Sequence, residues 1–340
     1  MRVVCLRGGF GLDRLALEEQ VDPVAGAGEV LLRMRGASLN FRDVSLARGT
    51  YDPRLALPAV LGSDGVGEVV ARGDGAVRFA LGERVCPISA RGWYEGAPTR
   101  ATTRNMLGGA LSGTFAELLV ARESDLVRPP AHLTDIEAAT LGVAGVTAYR
   151  ALFELAEMGP GRRVLVIGTG GVATFAIVLA RAAGAEVVVA GRNAEKLERT
   201  RALGAEHLVD ASREAEWGVA VRELTGGDGV DLVVELGGAA TLGQSLRAVR
   251  AGGTVALIGH TPDGPHTPSL VPVVMREIRL QGVLVGPRSS FEALSLFLAH
   301  TGARPVIDRV FSLEEYRLAF DELASGTAFG KTCLSFSAER

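Results

Sequence analysis

The segment from Arg162 to Lys196, RRVLVIGTGGVATFAIVLARAAGAEVVVAGRNAEK, constrains the fold more than any other part of the chain. A short apolar run, Val164 to Ile167, meets a glycine turn. A helix-period stretch follows, with Val172, Phe175, Ala176 and Leu179 on one face. Gly184 ends that stretch and a second apolar run continues from Val187 to Ala190. The order strand, turn, helix, strand is one parallel crossover unit. Its turn reads Gly-x-Gly-x-x-Ala at Gly168, Gly170 and Ala173. Glycines there let backbone N–H groups approach a pyrophosphate, and the helix N-terminus adds roughly half a positive charge. The turn residues Gly168, Thr169, Gly170, Gly171 and Val172 are therefore candidate dinucleotide contacts, although a glycine turn in an ordinary α/β sheet would read alike.

The end of the second strand separates the two nicotinamide dinucleotides. An NAD site places an acidic residue there, about 20 residues beyond the glycine turn, for the ribose hydroxyls. This chain has Gly191, Arg192 and Asn193, with Lys196 one turn on. Gly191 leaves room and Arg192 offers a planar fork suited to a 2′-phosphate, although two solvated cations at a helix start would read alike. The expected cofactor is NADPH.

At 340 residues the chain suits two domains rather than one core. Its 36 basic and 39 acidic residues are spread along the chain, which predicts neither a nucleic-acid partner nor a membrane patch. Cys5, Cys86 and Cys333 form no close pair, as expected of a reducing compartment. The N-terminus has too short an apolar run for a signal peptide, so a cytoplasmic location is expected.

Residues 1–124 read as mostly β. Val30, Leu32 and Met34 alternate with Leu31, Arg33 and Arg35, as in a half-buried strand. Ser89 to Leu111 is a long polar stretch without a period. Residues 125–286 alternate strands with helices: His207–Asp210, Val230–Glu235, Thr254–Ile258 and Leu280–Val285 are expected strands, Ala194–Leu203 and Ala240–Val249 helices. That pattern predicts an α/β fold, a doubly wound parallel sheet beside a mostly-β domain. Residues 287–340, with helical stretches Phe291–His300 and Leu313–Leu323 and a strand near Lys331–Phe336, are expected to return to the first domain.

Several ordered motifs carry a family resemblance: Ala37-Ser38-Leu39-Asn40-Phe41-Arg42-Asp43, Leu61-Gly62-Ser63-Asp64-Gly65-Val66-Gly67-Glu68-Val69, Phe79-Ala80-Leu81-Gly82-Glu83-Arg84-Val85 and Ala144-Gly145-Val146-Thr147-Ala148-Tyr149. Together with the cofactor turn, they resemble the medium-chain dehydrogenase/reductase superfamily over nearly the whole chain. The zinc-independent quinone-oxidoreductase-like and enoyl-reductase-like branch looks nearest. The resemblance implies a chaperonin-10-like β domain, a dinucleotide (Rossmann) domain, a cleft between them and a homodimer formed through the cofactor domains. Zinc members carry a catalytic Cys where this chain has Asn40, a His where it has Ser63 and a Glu where it has Asp64. Their third ligand falls near Val143. The Cys-rich structural zinc lobe is also missing, so no metal is expected.

Hydride transfer without a metal suits an enone or quinone, whose oxygen needs only hydrogen-bond donors, each worth roughly 3 kcal/mol where water is excluded. The resemblance implies Tyr51 as proton donor, although a tyrosine packing its own loop reads the same. Asn40 would orient substrate or cofactor amide, or cap a helix from Phe41; Asp43 is catalytic or structural. Thr147 resembles a threonine beside the nicotinamide, or is simply an early-helix hydroxyl. Gly237, Gly259, His260 and Val285 follow successive strands and are expected at the cofactor's edge of the sheet. The expected function is NADPH-dependent reduction of an activated C=C bond in a small molecule. A carbonyl or imine reductase, an alcohol dehydrogenase and a non-catalytic NADPH binder are the alternatives.

Overall fold

The computed structural model describes residues 1–259 and 268–336. It divides into two compact units, Met1–Val146 with Val285–Arg340, and Thr147–Leu284. The first break thus falls at Val146, not at 124, and the return begins at Val285. The reason lies in two contacts. Cys86 and Pro87 of one strand pair with Val127 and Leu126, and a short helix, Asp135–Ala138, packs on the long strand Glu29–Ser38.

The first unit contains strands β1 (Arg2–Leu6), β2 (Leu15–Glu19), β3 (Glu29–Ser38), β4 (Ala59–Val60), β5 (Gly65–Arg72), β6 (Arg84–Pro87), β7 (Leu118–Arg122) and β8 (Leu126–Val127). Helices α1 (Phe41–Ala47), α2 (Arg100–Arg104) and α3 (Asp135–Ala138) lie among them. β3 shows the expected alternation: Val30, Leu32 and Met34 are buried with Val69, Phe79 and Val85, while Arg33 faces solvent. It pairs antiparallel with both β5 and β7. The stretch from Ser89 to Leu111 is tied down rather than loose. Trp93 is buried, its indole N–H donating to the Gly96 carbonyl at 3.0 Å, and the Tyr94 hydroxyl meets Ser124 at 2.8 Å. Both aromatic residues anchor the loop.

A helical run crosses from the first unit to the second: α4 (Val146–Tyr149) is flanked by π-helical turns at Leu141–Gly145 and Arg150–Glu154. The second unit then runs β9 (Arg163–Ile167), α5 (Gly171–Ala182), β10 (Glu186–Gly191), α6 (Ala194–Arg199), β11 (His207–Asp210), α7 (Trp217–Leu224), β12 (Val230–Glu235), α8 (Ala239–Ala248), β13 (Val249–Leu257), α9 (Val271–Met275) and β14 (Arg279–Gly282). Its six strands are parallel in the order β11-β10-β9-β12-β13-β14, the order of a dinucleotide-binding doubly wound sheet. Helices cover both faces, so β9 and β10 are continuous apolar runs with Val164 to Val166 and Val187 to Val189 fully buried.

The chain finally returns to the first unit through α10 (Arg288–Thr301), β15 (Ile307–Ser312), α11 (Tyr316–Ser325) and β16 (Lys331–Ser335). β16 pairs antiparallel with β3, matching Cys333 to Ser38 and Leu334 to Ala37. Among the described residues no helix is long and apolar enough to cross a membrane, and all three cysteines are free and buried.

Candidate functional site

In the second unit, the glycine turn sits at the carboxyl end of β9. Gly168 takes a left-handed φ of +89°, which a glycine adopts without a Cβ clash. Its N–H donates to the Ala190 carbonyl at 2.7 Å, tying the turn to the end of β10. A Cβ built on Gly168 or Gly170 would meet nothing within 4 Å, so the glycines border open space instead of filling a packed contact. No side chain caps the start of α5, a helix of 12 residues, so its first N–H groups remain available to an anion. Thr169, Gly171 and Val172 belong to the same turn and are partly exposed. These residues fit a pyrophosphate.

Arg192 leaves the end of β10, beside the turn, and is exposed. Gly191 is buried; a Cβ there would meet only Leu197 at an ordinary 3.4 Å, so packing does not demand a glycine. Asn193 has a clear local duty, because its Oδ1 accepts from the Lys196 N–H at 2.9 Å and caps α6. Gly237 and Gly259 are demanded by packing. A Cβ on Gly237 would strike Thr241 at 2.4 Å, and one on Gly259 would strike the Leu236 carbonyl oxygen at 2.2 Å. The ends of β12 and β13 therefore come into backbone contact. Glu235, fully buried at the end of β12, accepts from the N–H groups of Gly237 and Gly238 and from the hydroxyls of Thr241 and Ser245. Thr147 is buried in the middle of the helical run, not at its start, and π turns on either side interrupt the regular ladder. Val285 falls with the first unit. His260 lies outside the described residues.

In the first unit a buried polar cluster gathers where β3, β5 and β16 meet. Asn40 is the N-cap residue of α1, and Asp43 accepts its backbone N–H at 2.8 Å. Asp43 is completely buried, and burial raises its pKa against the opposing effects of the Arg42 guanidinium and the Asn40 N–H. Asp64 is also buried; Oδ2 accepts from the Ser38 hydroxyl at 3.0 Å and Oδ1 from the Gly142 N–H at 2.9 Å. Burial pushes its carboxyl up to about 6, held back by the Lys331 ammonium, the Ser38 hydroxyl, the Asn40 amide and the Gly142 N–H. The Lys331 ammonium lies 3.9 Å from Asp64 Oδ2 and donates to Asn40 Oδ1 at 2.7 Å and to the Leu39 carbonyl at 2.8 Å. Asn40 Nδ2, Asp43 Oδ1 and the Ser63 hydroxyl are among the buried polar atoms without a hydrogen-bond partner. Tyr51 is half-buried against the apolar core, with the Arg42 guanidinium 5.1 Å from its ring centroid.

A catalytic zinc needs three converging N, O or S ligands and one open position. Asn40 and Ser63 are poor ligands, Val143 is none, and the cluster already holds a cation in Lys331. Among the described residues no group of three or more His, Cys, Asp or Glu could hold a metal ion. The residues present do not fit zinc. Lys331 does not stand out as a site residue in the sequence. Its one local signal is a charged residue opening an otherwise buried run, Lys331-Thr332-Cys333-Leu334.

Comparison with known proteins agrees with both units. Residues 26–131 match the alcohol dehydrogenase GroES-like domain and residues 171–300 the zinc-binding dehydrogenase domain. A zinc-type alcohol dehydrogenase-like protein of Schizosaccharomyces pombe is 36% identical over 331 residues, 95% of this chain and 96% of that protein. Among solved structures, an NAD-dependent alcohol dehydrogenase superposes with a TM-score of 0.90 at 32% identity, covering 99% of this chain and 100% of its own. A crotonyl-CoA carboxylase/reductase, AntE, in complex with NADP, superposes at 0.89 with 26% identity, covering 100% and 95%.

Proposed function

We propose, from the premise that this chain belongs to the medium-chain dehydrogenase/reductase superfamily of oxidoreductases, that it is an NADPH-dependent, metal-free reductase of C=C bonds conjugated to a carbonyl. The observation that carries the reading is the donor set of the polar cluster. Where a Lewis acid would need ligands, the chain offers an asparagine amide and a buried ammonium. Such groups can stabilise negative charge on an oxygen but cannot polarise a saturated ketone or ionise an alcohol as a metal does. A crotonyl group carries its C=C beside a carbonyl, which places one structural relative's name on the same chemistry.

When bound, NADPH supplies a hydride. The N–H groups of the glycine turn and α5 hold the pyrophosphate, and Arg192 grips the 2′-phosphate. Asn40 donates to the substrate oxygen. Tyr51, its ring fixed under the Arg42 guanidinium, delivers the proton, a step typically worth 10²–10⁴-fold. Oxidation of NADPH followed at 340 nm with a quinone, a linear enone, a cyclic enone and a saturated ketone, all in EDTA, tests the reading. Enones and quinones are expected to turn over and the saturated ketone to lag. A preference for the saturated ketone would favour the carbonyl chemistry that the alcohol dehydrogenase relatives' names suggest, and loss of all turnover in EDTA would restore a metal. Full turnover in Tyr51→Phe would remove Tyr51 as proton donor.

The protein is further expected to be a homodimer through its second unit. β14 is an edge strand of the parallel sheet, and beside it Val274 and Met275 of α9 are 75% and 76% exposed, with Leu270 and Val271 also open. An apolar patch next to a strand edge that no other described strand pairs is what a second copy would cover. Light scattering should give twice the 35.5 kDa chain mass, and Val274→Asp should return it to one; a wild-type monomer overturns the assignment.

A further inference from the structure

Lys331 is one of only two lysines in the chain, the other being Lys196, and only 3% of its surface is exposed. Its ammonium reaches the Asn40 side chain at 2.7 Å. An ammonium carries donors and no acceptor, so the amide atom it touches must be the oxygen. The other end of that amide, Nδ2, is then turned away from Lys331, and it is buried with no hydrogen-bond partner. The Asn40 amide lies close enough to the Asp64 carboxyl to help hold its pKa down, yet Nδ2 forms no hydrogen bond to it. Ser38, Asp43, Ser63, Asp64 and Lys331 are all buried, whereas Asn40 is partly exposed, so the network meets its surroundings at that residue. A buried donor left without a partner is rare and marks a place where an acceptor is missing.

We propose that Lys331 is a positioning residue: it locks the Asn40 amide so that Nδ2 is the group offered to substrate, and the atom received there is an acceptor oxygen, the carbonyl of an enone or quinone. The inference rests on the reductase reading above and deepens it by naming the oxygen's donor and the group that orients it. Without the ammonium the amide can rotate and present Oδ1, which repels a carbonyl oxygen and welcomes a hydroxyl.

Lys331→Met keeps the stem and removes the ammonium. Because it strands the buried Asp64 carboxylate, Lys331→Met with Asp64→Asn serves as the second variant should the first not fold. The expected result for an enone is a fall in kcat of ~30-fold or more, with KM changed by less than ~3-fold, in the range for losing an oxyanion donor. Asn40→Ala should lose as much, and Lys331→Met should cost nothing further in that background, because groups acting in series are not additive. Losses that multiply, or an unchanged kcat in Lys331→Met, overturn the proposal. A readout independent of turnover comes from the three asparagines, Asn40, Asn105 and Asn193. In [15N]Asn-labelled protein the Asn40 side-chain pair, assigned by its loss in Asn40→Ala, should move in Lys331→Met and on adding cyclohexanone; a pair indifferent to both overturns the proposal. Should the wild type turn over no enone, the C=C reading falls, and the response of this amide still decides the role of Lys331.

Discussion

Arg192→Asp is expected to raise the KM for NADPH by ~100-fold or more while leaving that for NADH within ~3-fold. The size follows from the chemistry of the contact. A hydrogen bond to a charged group is worth about 1.5–3 kcal/mol, and a guanidinium can make two to one phosphate. Losing about 3 kcal/mol is already ~100-fold, at 1.36 kcal/mol for each tenfold. Aspartate adds repulsion against the 2′-phosphate, yet its carboxylate suits the two ribose hydroxyls of NADH. The local frame should survive the change. Arg192 is exposed at the corner after β10, while the neighbouring Asn193 caps α6 with its own side chain and Gly168 is tied to β10 through the Ala190 carbonyl. Steady-state kinetics with both cofactors checks it. Equal losses for NADPH and NADH would remove Arg192 from the phosphate site, and a wild type that prefers NADH would overturn the cofactor assignment at its root.

The parts of this chain that sequence made legible are those decided locally. His207–Asp210 and Val230–Glu235 form strands on the residues expected, because strands buried on both faces read as unbroken apolar runs between turn residues. Boundaries set by tertiary contact were harder to read. β13 begins at Val249 rather than near Thr254, since Val249 finds a partner in Val230 across a register shift. β15 has no sequence signal; Ile307–Ser312 has little apolar period and is a strand because it lies parallel to β16. The π turns around Thr147 have no sequence signal of their own. The polar cluster was half visible. Asn40, Ser63 and Asp64 stand out against zinc members of the family, but the residue that organises them is Lys331, 291 positions from Asn40. No periodicity spans such a distance; only the pairing of β16 with β3 brings the two together.

The same logic identifies the residue whose loss should cost the most. Glu235→Ala is expected to destabilise the second unit by about 3–5 kcal/mol, the cost of stripping a buried charged group from its partners. Glu235 is fully buried at the end of β12. Its Oε1 accepts from the Gly237 N–H at 2.7 Å and the Gly238 N–H at 3.0 Å as well as from Thr241, and its Oε2 accepts from Ser245. Alanine takes the carboxylate from four donors, of which only the Thr241 hydroxyl has a second acceptor, the Gly238 carbonyl at 3.4 Å, in a turn where Gly238 sits at a φ of +72° and Gly259 crowds the Leu236 backbone. Glu235→Gln separates charge from hydrogen bonding: its carbonyl oxygen can serve Gly237, Gly238 and Thr241 while its amide faces Ser245, whose hydroxyl can turn to accept. The glutamine variant should therefore lose only about 1 kcal/mol, the scale of one altered hydrogen bond. Urea unfolding of the two variants, followed by the fluorescence of Trp217, which is buried in the core of this unit, separates the cases. Equal and small losses would mean that the turn after β12 is held by its glycines alone. A large loss confined to alanine would make Glu235 the acceptor that holds the glycine turn at the rim of the sheet.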